Sequence, residues 1–426
     1  SIQICIADMD STALTAAALN QLRNIRLYAE TYGCTYNFGD TEKIIEIARS
    51  QGCTIVEIAE DADAVLINTC IVVTRTEEHM YERMRLYADK ILVVTGCLPG
   101  LSIDCVLSVH PDAYIIDPDL IHSCYREVGT VHAGDHAVLQ IAKGCNGHCT
   151  YCITRLARGK LVSFPLEDIV DQARAFVNAG VTEIQLTAQD VSSWGMDRDD
   201  GLRLPDLLSA LIKIPGEYHI RIGMANPDTL LPILDDFLDA IADPKIFLFL
   251  HVPVQSGSDA VLRAMGRRYT AAQYEEICRR ARERYPDIRI STDYIAGFCG
   301  ETAEDAAASV TQILTTRPGK VNITRFSMRP GTPAAKMKNL PEPVKKERSR
   351  ALTNAANAVY DANNEEWIGK TVDAVVTEVV RAGSVTARDR TYQNIVILSE
   401  IPIGTRIRVT ITGHRRHYLV GMVALE

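Results

Sequence analysis

Short apolar runs alternate with helical stretches over residues 24–134, and this alternation limits the possible folds more than any other feature of the chain. The runs "TIVEIA", "AVLINTC" and "ILVVTGC" are separated by helical segments such as "EEHMYERMRLYADK". Strand–helix alternation of this kind is typical of a parallel sheet with helices on its faces. We therefore predict a doubly wound parallel α/β domain over residues 24–134. Residues 1–23 fit the pattern poorly, and we predict an N-terminal extension there.

The alternation continues over residues 135–366, where the loops after the strands are polar or contain glycine. "EIQLTAQD", "IFLFLHVPVQSGSD" and "IRISTDYIAGFCGE" each end an apolar strand in such a loop. Barrel-like α/β folds place functional groups in this way, at the carboxyl ends of their strands. About six such units fit, fewer than a complete barrel requires, so we predict a partial β/α-barrel.

Residues 367–426 change to an alternation of period two. In "TRIRVTITG", Ile407, Val409 and Ile411 would face one way, while Arg406 and Arg408 face the other. With "TVDAVVTEVV", "NIVILSE" and "HYLVGMVAL", this pattern predicts a small antiparallel β-barrel of about five strands, similar to the compact barrels that bind oligonucleotides.

The composition is that of a globular protein, with 47% hydrophobic and 23% charged residues among 426. No run of about 18 apolar residues and no signal peptide is apparent, so we predict a cytoplasmic protein without a membrane span. In a reducing compartment, metal binding or burial explains twelve cysteines better than disulfides do. The net charge of −9 gives no indication of nucleic-acid binding by the chain as a whole.

Three cysteines lie within eight residues in "GCNGHCTYC", at Cys145, Cys149 and Cys152. Three thiolates on a four-iron cluster leave one iron without a protein ligand, and such an iron can bind a substrate. The alternatives are burial without a ligand and a zinc site that includes His148, although a histidine adjacent to Cys149 would have to turn back onto the same metal.

Three further cysteines, Cys34, Cys70 and Cys97, each follow an apolar strand directly. The carboxyl ends of parallel strands lie at one edge of a sheet, so these three side chains can converge there. For a single cysteine, burial as a small apolar residue would be the simpler interpretation. The remaining six share no such context and are predicted to be buried: Cys5, Cys53, Cys105, Cys124, Cys278 and Cys299.

The C-x3-C-x2-C spacing, with Tyr151 before the last cysteine, resembles the radical S-adenosylmethionine (SAM) superfamily. This resemblance implies that the open iron chelates the amino and carboxyl groups of SAM, and that an electron from the cluster cleaves SAM to a 5′-deoxyadenosyl radical. Together with the strand-end cysteines and the C-terminal barrel, the chain resembles the methylthiotransferases from Arg26 onward. In that family the second trio binds an auxiliary cluster, and the barrel is an RNA-associated TRAM domain.

The strings "GCNGHCTYCITRLARGKLVSFP", "LHVPVQSGSD", "GFCGET" and "RPGTPAAKM" are most similar to the archaeal and eukaryotic branch. That resemblance implies conversion of N6-threonylcarbamoyladenosine (t6A, position 37 of tRNA) to its 2-methylthio derivative. The implied cofactors are two [4Fe-4S] clusters and two molecules of SAM, with an electron donor, a sulfur source and the tRNA anticodon loop as partners. No side chain is predicted to be catalytic, because clusters would carry the radical chemistry.

The resemblance also suggests residues that bind SAM and tRNA. The predicted SAM contacts are Tyr151, Gln189, Asp190, Gln255, Ser256, Gly297 and Gly300. Gln189 and Asp190 replace the glycine–glycine–glutamate triplet of many relatives, so a role in capping a loop is equally open to them. Cys299 stands where relatives usually have proline, and no cluster role is predicted for it.

The candidate tRNA contacts are Arg155, Arg158, Lys160, Arg267, Arg329, Arg415 and Arg416. Salt bridging is the alternative for Arg267 and Arg329, and an ordinary solvated charge run for the three residues after the central triplet. From Lys370 onward, eight positive residues oppose five negative ones, a net charge of +3. Such a module would supply affinity for the RNA backbone rather than base specificity.

Two other interpretations remain at this level. A methylthiotransferase of isopentenyladenosine in tRNA, or of a ribosomal protein, would share both cysteine motifs. A non-catalytic iron–sulfur protein for electron transfer or RNA binding would carry a fourth cluster ligand or fail to cleave SAM.

Overall fold

The computed structural model describes residues 10–129 and 134–424. Within this part the chain forms two compact units. The first comprises the residues up to Gln189 together with Ser327–Ala335, and the second comprises Asp190–Phe326 and the residues from Lys336 onward. The predicted domain borders at residues 134 and 366 do not coincide with this division, and they stay predictions.

The first unit contains eight helices and nine strands in its described residues. In chain order they are α1 (Ser11–Asn20), β1 (Arg26–Thr31), α2 (Thr35–Ser50), β2 (Thr54–Ile55), β3 (Ala64–Thr69), α3 (Thr74–Leu86), β4 (Ile91–Gly96), α4 (Cys97–Leu101), α5 (Ile103–Leu107), β5 (Tyr114–Ile115), α6 (Ile121–Val128), β6 (His136–Gln140), β7 (Ala142–Lys143), α7 (Thr154–Arg158), β8 (Val162–Ser163), α8 (Leu166–Asn178) and β9 (Glu183–Thr187).

Strands β1 to β5 form a parallel sheet in the order β2-β1-β3-β4-β5. Alternate residues of β3 serve opposite faces, because side chains in a strand alternate in direction. Val65 and Ile67 pack in a core with the α3 methionines, whereas Leu66 packs in a second core with residues of α2 and α6. The doubly wound parallel domain predicted from the sequence is therefore confirmed.

Residues 10–23 of the predicted extension form part of the first compact unit. They contain α1, whose Ala18 and Leu19 join Leu22 in the second core of the sheet. The Thr15 hydroxyl accepts a hydrogen bond from the Asp117 backbone, 3.0 Å away. This helix packs small and apolar residues against the sheet. The strand–helix pattern of the sequence did not predict this packing. Residues 1–9 of the predicted extension lie outside the described residues.

The first unit also includes strands β6 and β9, which pair in parallel. Side chains of α2 join these strands to the N-terminal sheet, because the Gln140 amide donates to Asp40 (2.7 Å) and the buried Lys43 ammonium donates to Gln140. This polar contact explains why the compact unit extends beyond residue 134.

The second unit continues the alternation and ends in a barrel. Its elements are α9 (Leu204–Leu211), β10 (His219–Ile222), α10 (Pro227–Leu230), α11 (Leu234–Ala240), β11 (Phe249–His251), α12 (Asp259–Ala264), α13 (Ala271–Arg284), β12 (Arg289–Ala296), α14 (Ala303–Thr316), β13 (Lys320–Arg325), α15 (Glu342–Glu365), β14 (Thr371–Arg381), β15 (Ser384–Asp389), β16 (Asn394–Ile397), β17 (Arg406–Arg415) and β18 (Tyr418–Val423). Strands β11, β12 and β13 form a parallel sheet.

The C-terminal barrel is closed, in the order β14-β15-β16-β18-β17. Val409 and Ile411 are buried in its core while Arg406 and Arg408 are exposed, as the period-two pattern predicted. The small five-stranded barrel predicted from the sequence is confirmed, and its strands pair antiparallel except for β16 and β18, which pair in parallel. A closed ring with an odd number of strands cannot alternate direction throughout, so at least one neighbouring pair must be parallel.

Candidate functional site

The three strand-end cysteines lie at one edge of the N-terminal sheet. Cys34 precedes α2 shortly after β1, Cys70 follows β3 directly, and Cys97 follows β4 directly. Strands β1, β3 and β4 are consecutive neighbours, and the strand order reverses between β1 and β3. In open parallel sheets this reversal at the carboxyl edge forms the crevice in which ligands bind.

The cysteine side chains converge at this edge. Gly33 has a φ of 104°, and a Cβ at this position would lie 2.9 Å from Cys70 Cβ and 3.0 Å from its sulfur. Only glycine therefore lets the turn before Cys34 lie directly on Cys70. The charges of Cys34 and Cys70 both raise the pKa of the Cys97 thiol.

Burial distinguishes the three thiols. It raises the pKa of Cys97 to about 11 and also raises the pKa of Cys70, while the positive charge of Arg158 lowers both. Cys34 is exposed. The site thus has two buried thiols, Cys70 and Cys97, and one thiol open to solvent, Cys34. A group held here would be shielded on one side and reachable on the other.

The central triplet forms a tight loop of half-buried residues. The Cys145 backbone donates to the Gly159 carbonyl (3.2 Å), and the Cys152 backbone donates to the Cys149 carbonyl (3.2 Å). Gly147 lies between two sulfurs: a Cβ there would be 3.1 Å from Cys145 Sγ and 3.7 Å from Cys149 Sγ. The loop therefore directs at least two thiols toward the same small volume.

Both trios consist of soft sulfur donors, which suit iron–sulfur clusters. All cysteines in the described residues are free. Within those residues, no three His, Cys, Asp or Glu side chains come close enough together to hold a single metal ion. Thiolates on a cluster bind different irons and so lie further apart than the ligands of one ion. The cluster on each trio stays a prediction that the sulfur donors support, and His148 is exposed.

Two contacts join the cysteine sites inside the first unit. Helix α4, which begins at Cys97, packs on α7, so that a Cβ on Gly100 would lie 2.7 Å from the Ala157 carbonyl oxygen. The backbone of Ala334 donates to the Thr150 carbonyl (2.8 Å), which attaches the segment 327–335 to the central loop.

Arg158, a predicted tRNA contact, is buried, with only 3% of its surface exposed. Its guanidinium pairs with Asp40 (Nη1–Oδ2 2.8 Å) and donates to Asn37 Oδ1 (2.7 Å). These buried contacts support a structural role for Arg158, and its contact with tRNA stays a prediction. A charge run in sequence does not reveal which of its members turns inward.

Arg329 is likewise buried, with 5% exposed, and it forms an ion pair with Glu77 and donates to Thr74 Oγ1 (2.9 Å). The ion pair with Glu77 supports the salt-bridge alternative for this residue, and its contact with tRNA stays a prediction. Arg155 is half-buried and Lys160 is exposed, so both stay candidates for an RNA contact.

The predicted SAM contacts in the first unit are Tyr151 and Gln189. Tyr151 is half-buried in the turn between the last two cysteines of the triplet. Gln189 follows β9, and its buried side-chain oxygen has no hydrogen-bond partner within the described chain. Because buried polar atoms are rarely unsatisfied, this acceptor fits a ligand donor such as an amino group.

Asp190 caps a short 3₁₀ turn in the second unit. Its carboxylate accepts from the Ser192 backbone (3.1 Å), the Ser192 hydroxyl (2.7 Å) and the Thr229 hydroxyl (2.7 Å). Burial raises its pKa to about 6. These hydrogen bonds support the loop-cap alternative for Asp190, and its contact with SAM stays a prediction.

The other predicted SAM contacts lie in two loops of the second unit. Gln255 has a φ of 72°, rare for a residue with a side chain, and its backbone pairs with β12. Such strain often marks a functional position. Ser256 is buried and its hydroxyl accepts a hydrogen bond from the Ser258 backbone, so it orders the loop.

Gly297 and Gly300 lie in the second loop. Gly297 is required for packing, since a Cβ there would lie 2.5 Å from the Lys345 side chain, whereas the space beside Gly300 is open.

Most basic residues of the C-terminal barrel have partners within the second unit. Arg390 donates to the Ala242 carbonyl (2.6 Å), Arg406 pairs with Glu217, and Arg416 lies 3.6 Å from Asp361. Arg415 is exposed, and its guanidinium donates to the His414 carbonyl (3.1 Å). Arg267, outside the barrel, is half-buried beside the Tyr269 ring. Most basic side chains of the barrel therefore already have partners, so the net charge of +3 overestimates the positive charge available for binding RNA.

Comparison with known proteins places this geometry in a family. A model of the radical SAM superfamily matches residues 139–313, and a model described as uncharacterized protein family UPF0004 matches residues 26–116. The chain is 36% identical over 426 residues to a probable threonylcarbamoyladenosine tRNA methylthiotransferase of Archaeoglobus fulgidus, and the match covers 94% of this chain and 99% of the relative. The chain belongs to this methylthiotransferase family.

The family extends to eukaryotes, since the human threonylcarbamoyladenosine tRNA methylthiotransferase is 31% identical over 429 residues, covering 93% of this chain and 73% of the relative. The resemblance to the archaeal and eukaryotic methylthiotransferases is thereby confirmed. Among solved structures, the radical SAM methyltransferase TsrM of Kitasatospora setae shares the fold, with a TM-score of 0.52 and 12% identity over 72% of this chain and 74% of that one. Membership of the radical SAM superfamily supports an iron–sulfur cluster and SAM as cofactors.

Among the described residues, no helix combines the length and apolar character needed to cross a bilayer.

Proposed function

We propose that this enzyme converts t6A at position 37 of tRNA to 2-methylthio-N6-threonylcarbamoyladenosine, with two iron–sulfur clusters and two molecules of SAM. The observation that carries the proposal is the presence of two separate trios of free cysteines in one compact unit. A radical SAM enzyme needs only one trio to cleave SAM, so the second trio calls for a second function. The proposed substrate, t6A in tRNA, is taken from the relatives, which are named threonylcarbamoyladenosine tRNA methylthiotransferases.

The chemistry of the substrate accounts for two clusters. C2 of adenine is an unactivated carbon that bears hydrogen, and no acid, base or polar nucleophile of this chain would readily replace that hydrogen with sulfur. When bound, the clusters supply the radical and the sulfur. Cys145, Cys149 and Cys152 would hold the one that faces SAM, and Cys34, Cys70 and Cys97 would hold the auxiliary one.

The side chains and loops of the protein would position SAM and the tRNA around the clusters. Gln189 offers its unpartnered oxygen to a SAM donor group, and the strained backbone at Gln255 fixes the loop predicted to border SAM. Arg155 and Lys160 directly follow the central triplet and offer positive charge to the phosphates of the anticodon loop. The C-terminal barrel acts as a TRAM domain that adds affinity for the RNA. An electron donor and a sulfur source complete the partners, and the proposed tRNA substrate places the enzyme in the cytoplasm.

The decisive experiment expresses the gene in cells whose tRNA contains t6A but no 2-methylthio derivative, and analyses the nucleosides of their tRNA by mass spectrometry. The wild-type chain should produce the methylthiolated nucleoside. Cys53→Ala, which changes a buried cysteine outside both trios, should do the same, whereas Cys70→Ala should produce none.

Other outcomes point to the alternatives. Methylthiolation of isopentenyladenosine, or of a ribosomal protein peptide, would assign a different substrate to the same chemistry. Failure to cleave SAM under reducing, anaerobic conditions would contradict the enzymatic proposal and favour an iron–sulfur protein without catalysis.

A further inference from the structure

Two buried arginines stand beside the strand-end cysteines, and the proposed reaction leaves their role unexplained. Arg158 comes from the end of α7, and Arg329 comes from the segment 327–335. Burying a guanidinium is costly unless its charge is paired and its donors are satisfied. Surface positions would have been less costly for both residues, so their inward orientation calls for an explanation.

Arg158 is held rigidly. Its guanidinium pairs with the buried Asp40, donates to Asn37 and lies 5.0 Å from the centre of the Tyr36 ring. Asn37 is itself fixed, because its amide donates to the carbonyls of Tyr32 (2.8 Å) and Thr69 (2.9 Å). The positive charge therefore occupies one position relative to the strand ends.

That position lies beside the strand-end thiols. Arg158 donates to Asn37 Oδ1 (2.7 Å), and a Cβ on Gly33 would lie 3.0 Å from both Asn37 Nδ2 and Cys70 Sγ, which places the amide that binds Arg158 next to the Cys70 sulfur. The positive charge of Arg158 lowers the pKa of Cys97 and of Cys70, and that of Arg329 lowers the pKa of Cys70. Asp40 and Glu77 hold the two guanidinium groups in place. The two ion pairs thus fix positive charge beside the cysteines.

A cluster held by thiolates is more negative after it accepts an electron, and neighbouring charges and hydrogen bonds to sulfur set its reduction potential. In a buried environment the Coulomb interaction with a fixed cation is stronger than in water. A guanidinium fixed beside the ligand sulfurs would favour the more negative state of the cluster.

We propose that Arg158, assisted by Arg329, is the counter-charge of the auxiliary cluster, raising its reduction potential and helping to retain it. This inference rests on the proposed function, because it requires a cluster on Cys34, Cys70 and Cys97.

The test uses the full chain with Cys145, Cys149 and Cys152 all changed to Ala, so that only the auxiliary cluster can assemble. In this background Arg158→Gln, Arg158→Lys, Asp40→Asn and Arg329→Gln are prepared. Arg174→Gln serves as the control, since Arg174 forms an exposed ion pair with Asp171 in the same unit. After anaerobic reconstitution, iron content is measured and the midpoint potential is determined by a redox titration followed by electron paramagnetic resonance.

Arg158→Gln should lower the midpoint potential and the iron retained, and Arg158→Lys should restore part of both. Arg329→Gln should lower the potential by a smaller amount. Asp40→Asn should raise it, because the guanidinium then faces the cluster without its carboxylate. A purely structural role would make the changes at Arg158 and Asp40 impair the site in the same direction.

Three results would overturn the inference or its basis. Potentials of Arg158→Gln and Arg329→Gln equal to that of the Arg174→Gln control would refute the counter-charge. Equal loss of iron in Arg158→Gln and Arg158→Lys, with Arg329→Gln unchanged, would show that Arg158 only packs. Absence of iron from the background chain before any arginine is changed would refute the auxiliary cluster itself, and with it that part of the proposed function.

Discussion

The two cysteine trios are built in different ways. The central trio occupies eight consecutive residues in a half-buried loop that backbone hydrogen bonds hold together. The strand-end trio spans residues 34–97 and comes together only because β1, β3 and β4 are neighbours in the sheet. A local loop can form its site before the domain is complete, whereas the strand-end site requires the finished sheet. The central site should therefore tolerate changes elsewhere in the unit better than the strand-end site does.

The largest effect is expected from a change in the central trio. Cys149→Ala should abolish 5′-deoxyadenosine formation under reducing, anaerobic conditions, because the proposed cluster loses one of its three ligands. Chromatography of the reaction products measures this loss, and Cys278→Ala, at a buried cysteine outside both trios, provides the control. Unchanged product formation would remove the central site from the mechanism.

The second prediction separates the two trios. Changing Cys34, Cys70 and Cys97 together to Ala should eliminate the methylthiolated nucleoside but leave SAM cleavage in place, because the central loop does not depend on those side chains. Iron should fall by about the content of one cluster. Full methylthiolation by this variant would mean that the strand-end cysteines are ordinary buried residues. Intact SAM cleavage serves as the internal control for folding.

The third prediction uses a glycine beside each trio. Gly33→Ala should cost about 1–3 kcal/mol of unfolding free energy and reduce iron at the strand-end site, because φ is positive and the new Cβ would press on Cys70. Gly144→Ala should instead impair SAM cleavage, since its Cβ would lie 1.9 Å from the Lys160 carbonyl oxygen. Denaturant unfolding and iron analysis measure both effects.

Gly180→Ala is the matched control for this pair. Its φ is 92°, but a Cβ there meets nothing within 4 Å, so it carries the backbone strain without a clash. If Gly33→Ala removed iron from both sites equally, the proposed independence of the central loop would be wrong.

The smallest effect concerns RNA binding by the C-terminal barrel. Arg415→Gln should weaken tRNA binding and reduce the salt dependence by about 0.7–0.9 units of log–log slope if the side chain contacts one phosphate. Arg284→Gln, at an exposed arginine paired with Asp239 outside the barrel, should leave the slope unchanged. Equal slopes for the two variants would show that the barrel does not bind RNA through Arg415.

Much of the fold was predictable because its signals are local. Strand–helix alternation identified the parallel sheet, and the period-two pattern around Val409 identified the barrel. The contribution of α1 to the core was missed because a short Ala- and Leu-containing helix outside the repeating pattern has no local feature that shows what it packs on. The parallel pairing of β16 with β18 follows from closure of the ring, which is a property of the whole barrel.

The amino-acid sequence by itself determined the chemistry available to this protein: two trios of cysteine ligands, one in a contiguous loop and one at successive strand ends, with the family strings that connect them. Only the tertiary structure decided which charged residues serve that chemistry. Arg155, Arg158 and Lys160 look alike in a run of basic residues, yet Arg158 alone is buried among them, paired with Asp40 and hydrogen-bonded to Asn37. The physical reason is that each cysteine can bind iron by virtue of its own side chain, which the sequence shows directly. Whether an arginine is buried and paired depends instead on residues far away in the chain, such as Asp40, which lies more than a hundred positions before Arg158.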